Sequence, residues 1–128
     1  MIRRTFGQTD FTISAIGFGA WAVGGWLWGD QDDVDSIAAI HAALDAGVTW
    51  IDTAPIYGSG RSERVVGEAL RQLPTGRRPL VFSKFGLGDD SAKRALSATR
   101  AEVLAECETS LRRLGVERID LYQLSTVN

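Results

Sequence analysis

The stretch that decides the fold is Trp50-Ile51-Asp52-Thr53-Ala54-Pro55-Ile56-Tyr57-Gly58. The run from Val48 to Ile51 reads as a strand buried on both faces. It stops on a carboxylate, Asp52. Pro55 prevents a regular ladder from continuing, and Tyr57 follows on the loop with Gly58 behind it. A carboxylate at the tip of a buried strand, with a phenol five residues on, suits a proton-handling site at the end of a parallel sheet. On this segment alone, an ordinary strand-end aspartate with a packed loop tyrosine is the favoured reading.

Working outward, strand and helix patterns alternate. Toward the N-terminus, Arg3–Phe6 and Phe11–Ile13 flank the turn-rich Gly7-Gln8-Thr9-Asp10 and predict a hairpin. Ile16–Gly19 predicts a short strand, and residues 21–30 a loop holding Trp21, Trp26 and Trp28. Aromatics on a glycine-rich loop suit a pocket wall or a lid over the core. Asp32 or Asp33 caps a helix carrying Val34, Ile37, Ala38, His41 and Leu44 at helical spacing, and Gly47 ends it. His41 is expected to pack or face solvent rather than act in chemistry.

Toward the C-terminus, a helix is expected from about Ser62, as N-cap, to Leu73, with Val65, Val66, Ala69, Leu70 and Leu73 as its apolar stripe. Gly58-Ser59-Gly60 is too short for a dinucleotide fingerprint. After a polar loop over 74–79, Leu80–Ser83 predicts a strand ending at Lys84. A second polar loop covers 86–97. Thr99 and Glu102 have capping-box spacing and open a helix with Val103, Leu104, Cys107, Leu111 and Leu114 inward and Gly115 as its stop. Ile119–Leu124 predicts the last strand.

This alternation makes a parallel α/β sheet and a single domain over 1–128. Asp52 and Lys84 then stand at the carboxyl ends of neighbouring strands, where such folds place their chemistry. With Tyr57 they form a possible triad. A free tyrosine has a pKa of about 10. An ammonium beside it favours the phenolate, and a carboxylate keeps that ammonium charged and in place. The result is a proton donor suited to a carbonyl oxygen. Read without further context, the same residues equally make a structural ion pair with an aromatic neighbour.

Composition narrows the alternatives. The chain has 128 residues, 45% hydrophobic and 23% charged, and a net charge of -2. That is enough for one core, and the absence of a basic stripe argues against nucleic acid as a partner. No apolar run approaches transmembrane or signal-peptide length, so neither a membrane partner nor export is expected and a cytoplasmic location is the default. The single cysteine, Cys107, falls on a helix stripe and is expected to be buried. One cysteine and one histidine make a zinc site improbable, and no metal is expected.

The motifs resemble the aldo-keto reductase superfamily. They are Ile16-Gly17-Phe18-Gly19-Ala20-Trp21, the segment from Gly47 to Gly58 with Asp52-Thr53-Ala54-Pro55-Ile56-Tyr57-Gly58, Gly60 to Leu70, Phe82-Ser83-Lys84-Phe85-Gly86, and Ser110 to Leu124. They run in family order over nearly the whole chain. The resemblance implies NADP(H), or less often NADH, as cofactor, a small aldehyde or ketone as substrate, and a (β/α)8 barrel. Asp52, Tyr57 and Lys84 match three members of the catalytic tetrad, with Tyr57 as general acid and substrate contact. Gly19, Ala20, Trp21 and Asp52 fall near the nicotinamide end of the cofactor, and Trp28 on the substrate pocket. The tetrad histidine has no counterpart, because Ser125-Thr126-Val127 stand in its slot. Barrels of this type take about 250 residues. The expectation is therefore an N-terminal half-barrel: a hairpin, then four strands with three helices. Its catalytic activity alone would be impaired or absent, and its open sheet edges would be available for self-association. A non-catalytic half-barrel assembly module, or a remnant without activity, is the alternative.

Overall fold

The computed structural model describes residues 1–87 and 99–125. Two strands form an antiparallel hairpin, β1 (Arg3–Thr5) and β2 (Thr12–Ser14). Four more form one parallel sheet in sequence order: β3 (Phe18–Gly19), β4 (Trp50–Asp52), β5 (Leu80–Phe85) and β6 (Leu121–Leu124). The helices between them are α1 (Asp33–Asp45), α2 (Arg61–Arg71) and α3 (Arg100–Leu114). Parallel neighbours joined by helical crossovers are the α/β architecture expected from the alternation. The order is that of the first four strands of a (β/α) barrel.

Side-chain alternation along the strands divides the sheet into two faces. Ile51 and Val81 point to the helices and join Ile40, Val65, Val66, Ala69, Leu70 and Leu114 in the main core. Trp50 and Phe82 lie on the other face, their rings 5.2 Å apart, and Phe6 from the hairpin packs on Phe82 at 5.7 Å. The hairpin is fastened to β4 by polar contacts. Ser14 N donates to Thr49 Oγ1 at 2.8 Å, Thr49 N to Ser14 Oγ at 3.0 Å, and Trp50 Nε1 to Ser14 O at 3.0 Å.

Several local expectations hold. Asp32 caps α1, its carboxylate accepting from Val34 N and Asp35 N. Thr99 and Glu102 form the capping box of α3, and Gly115 closes that helix in the left-handed region. Others need correction. Ser62 does not cap α2; Gly60 does, at φ 82°, and Ser62 sits inside the first turn, fully buried. Val34 is 74% exposed, and Ala38 is also exposed; α1 instead buries Ile40 beside Ile37 and Leu44. The buried stripe thus lies round the helix from Val34 and Ala38, because packing against the core selects Ile37, Ile40 and Leu44. Leu104 is exposed and Cys107 only half-buried, so α3 turns Ser110 and Leu114 inward more fully.

Strand limits also shift. β5 continues through Lys84 to Phe85, while β6 starts at Leu121. The tryptophan loop contains two 3-10 turns, Ala22–Gly24 and Trp26–Trp28, and the loop over 74–79 contains another, Thr75–Arg77. Of the polar loop expected over 86–97, all but the first two residues lie outside the described residues, as do Thr126 and Val127. No described helix is long and apolar enough to cross a membrane.

Candidate active site

Parallel register brings the site together. Gly19 pairs with Asp52, Asp52 with Phe82, and Lys84 two residues on pairs with Gln123. Asp52, Lys84 and Gln123 thus share one face near the carboxyl ends of three adjacent strands. Lys84 Nζ donates to Asp52 Oδ2 at 2.6 Å and to Thr53 O at 3.0 Å. Gln123 Nε2 donates to the other carboxylate oxygen, Oδ1, at 3.1 Å. The ion pair is largely but not wholly shielded, with 18% of the Lys84 side chain and 28% of the Asp52 side chain exposed. The ammonium also lies 5.0 Å from the centre of the Tyr57 ring, within cation–π range.

Tyr57 is placed by a tightly turned loop. Gly58, Ser59 and Gly60 have successive φ values of 63°, 51° and 82°. These reverse the chain so that Gly60 N reaches Pro55 O and Ser62 N reaches Tyr57 O. A Cβ on Gly58 would sit 2.1 Å from Gly24 O, so glycine is needed for space as well as for conformation. This contact presses the tryptophan loop onto the Tyr57 loop. Arg61 holds the same loop from beneath, donating to Val23 O at 3.3 Å and to Gln31 O and Asp33 Oδ1 at 2.5 Å each.

The aromatic wall follows from that packing. Trp21 stacks on Tyr57, with ring centres 6.0 Å apart and planes 28° apart. Trp28 meets Trp21 edge to face at 5.7 Å. Trp21 and Trp28 remain about half exposed, at 46% and 54%. Gly19 ends β3 on the surface, with open space where a Cβ would project. Gly17, Gly19, Asp52 and Gln123 share a cavity of 380 Å³ with Phe6, Trp50, Phe82 and Leu121. Ala20 is completely buried and offers no accessible surface. Its N–H donates to Asp52 O, and its carbonyl accepts from Ser62 Oγ at 2.7 Å. Ser62 Oγ also lies 2.9 Å from Thr53 Oγ1, so the buried serine joins β3, the end of β4 and α2.

The seven residues singled out from sequence therefore lie on β3, β4, β5 or the two loops described, with Ala20 joining β3 to the tryptophan loop. Gln123 was not singled out. The available signal was its period-two spacing from Leu121, which predicts a polar side chain on the Lys84 face. Ser125, in the slot where the resemblance places a histidine, lines a small depression with Lys84, Ala54 and Pro55. His41 lies elsewhere, on α1, its Nε2 2.9 Å from Ala69 O. It packs α1 against α2, as expected.

Comparison with known proteins agrees with this architecture. The Aldo/keto reductase family model matches residues 15–128. The chain belongs to the aldo-keto reductase family. It is 43% identical over 117 residues to aldo-keto reductase YhdN of Bacillus subtilis, covering 91% of this chain and 35% of that protein. It is 40% identical over 132 residues to the NADH-specific methylglyoxal reductase of Escherichia coli, covering 91% and 39%. Among solved structures, glycerol dehydrogenase AKR11B4 of Gluconobacter oxydans superposes with a TM-score of 0.78 at 42% identity, covering 95% of this chain and 38% of that one. A Klebsiella pneumoniae aldo-keto reductase in complex with NADPH superposes at 0.76 with 33% identity, covering 100% and 41%. The chain thus spans little more than a third of the length of the curated relatives it matches.

Proposed function

We propose that this chain supplies the acid–base part of an NAD(P)H-dependent carbonyl reductase site, with residues 1–128 acting as one domain, the N-terminal half of a (β/α)8 barrel. The observation that carries this reading is Lys84 Nζ bound to Asp52 Oδ2 at 2.6 Å while standing 5.0 Å from the Tyr57 ring. In this reading Tyr57 gives its hydroxyl proton to the carbonyl oxygen of a small aldehyde or ketone. The Lys84 ammonium offsets the negative charge left on the phenol oxygen, and Asp52 keeps the ammonium directed there.

The residues fit the nicotinamide end of such a cofactor. The space above Gly19 is open, it adjoins Asp52, and the exposed Trp21 indole stands nearby as a flat apolar surface. A bound reduced nicotinamide supplies the hydride that the carbonyl carbon receives. Trp21 and Trp28 would then form the apolar side of the substrate pocket and exclude water from the proton donor.

The test is direct. NADPH and NADH are titrated against the intrinsic fluorescence of the chain, and aldehyde-dependent oxidation of each is followed. Saturable quenching with turnover, and loss of turnover but retention of quenching in Tyr57→Phe, is the expected result. Full turnover by Tyr57→Phe would reject Tyr57 as the proton donor.

A second reading is favoured by the sheet order. β3 and β6 are the outer strands of the described sheet, and Leu124 on β6 is 54% exposed. We propose that these edges also pair with a second copy of the chain. Light scattering over a concentration series is expected to show a dimer; a monomer at all concentrations would reject this reading.

A further inference from the structure

We propose that Gln123 is a positioning residue that fixes the plane of the Asp52 carboxylate, holding one of its two equivalent oxygens so that the other is presented to Lys84. The proposal takes its catalytic consequence from the carbonyl reductase reading above. It rests on a division of labour at one carboxylate: Gln123 Nε2 at 3.1 Å from Oδ1, and Lys84 Nζ at 2.6 Å from Oδ2.

The geometry makes demands on residue 123. Gln123 lies on β6 and Asp52 on β4, with β5 between them. Two strand spacings amount to roughly 9.6 Å, so the amide reaches its acceptor only across the strand that carries Lys84. Asparagine has the same donor but one methylene less, and falls short. Methionine has comparable length but no donor. Glutamate has the length but sets a second acceptor-only carboxylate against Asp52. Glutamine alone among these combines reach with an N–H.

The orientation matters because a carboxylate free to rotate about its last bond can turn both of its equivalent oxygens away from the ammonium. With Oδ1 occupied, that rotation costs a hydrogen bond to a charged group. Lys84 is then held between Oδ2 and Thr53 O, in the place from which it faces Tyr57. Gln123 touches neither substrate nor phenol in this scheme; it lines the cavity beside Gly19 and acts on the proton donor through Asp52.

The experiment is a double-mutant cycle on the chain. Gln123→Met and Gln123→Asn are each made alone and with Asp52→Ala, and both carbonyl turnover and the urea unfolding midpoint are measured. The expected result is a loss of about 10-fold in kcat, with KM unchanged, for both glutamine variants alone. No further loss is expected once Asp52 is replaced, and the shifts in urea midpoint should be non-additive in the same way. A full second loss in the Asp52→Ala background, or wild-type turnover and midpoint in Gln123→Asn, would overturn the proposal. If the parent chain turns over no aldehyde, the reductase reading falls. The urea cycle then decides the orienting contact alone, non-additive midpoints upholding it and additive ones overturning it.

Discussion

Glu63 has no exposed surface, and its ion-pair partner Arg113 reaches it from another helix, Nη1 to Oε2 at 3.4 Å. The other oxygen, Oε1, accepts from Ser83 Oγ at 2.8 Å. One carboxylate thus joins α2, β5 and α3 directly behind the strand that carries Lys84. Removing one member of a buried pair leaves charge and polar groups without their compensation. Glu63→Ala is therefore expected to lower stability by about 3–5 kcal/mol, measured by urea unfolding.

Lys84→Met tests the charge facing Tyr57. The variant keeps most of the length of the side chain but removes the cation and leaves the Asp52 carboxylate without its closest partner. Turnover is expected to fall by at least about 100-fold, within the range of general-acid contributions, while quenching by cofactor is retained. Turnover within threefold of the parent would show that the ammonium does not serve the proton transfer.

Gly58→Ala probes the support of the general acid. The added methyl would overlap Gly24 O at 2.1 Å, and the φ of 63° disfavours a side chain. Overpacking typically costs about 1–3 kcal/mol, and a left-handed non-glycine residue about 1–2 more. The loss should appear in urea unfolding, with a change in tryptophan emission as Trp21 is displaced from its stack on Tyr57.

Alkaline stability should depend on Tyr122. Burial pushes its phenol above the ordinary value of 10.0, and Cys107, Glu106 and Glu63 add repulsion toward the phenolate. The folded chain therefore retains the proton that the unfolded chain releases first. Below pH 10 both states are protonated and the contribution is fully present; it is lost as pH rises from 10 toward the folded value. Cys107 acts in the same sense above its ordinary 9.0, raised by burial and then by Glu108. Urea midpoints are expected to fall from pH 9 upward, and less steeply in Tyr122→Phe. Among the described residues, the Tyr122 hydroxyl is also buried without a hydrogen-bond partner. Its removal should leave neutral-pH stability unchanged or higher.

What the sequence made legible was what depends on strand ends and caps. Asp52 and Lys84 could be placed because each closes an apolar run, and parallel alternation puts such ends side by side. Thr99–Glu102 and Gly115 were legible because capping is local chemistry. Ser62 misled for a related reason: a serine near a helix start resembles a cap, but glycine at φ 82° takes that position and frees the hydroxyl to join β3 to β4. Val34 and Ala38 misled because several apolar sets fit the α1 periodicity, and only tertiary packing chooses Ile40. Gln123 was harder to place because its spacing from Leu121 indicates only a face, while its partner lies two strands away.

The contact between Gly24 and Gly58 has an engineering consequence. A designer wishing to alter selectivity would exchange the tryptophan segment, since it is exposed at the surface. That segment cannot be traded as an independent cassette: its backbone is seated on the hinge that aims the phenol. Grafts that keep residue 24 small and retain the anchors of Arg61 should transplant without disturbing the chemistry. Grafts that ignore them would change preference and rate together.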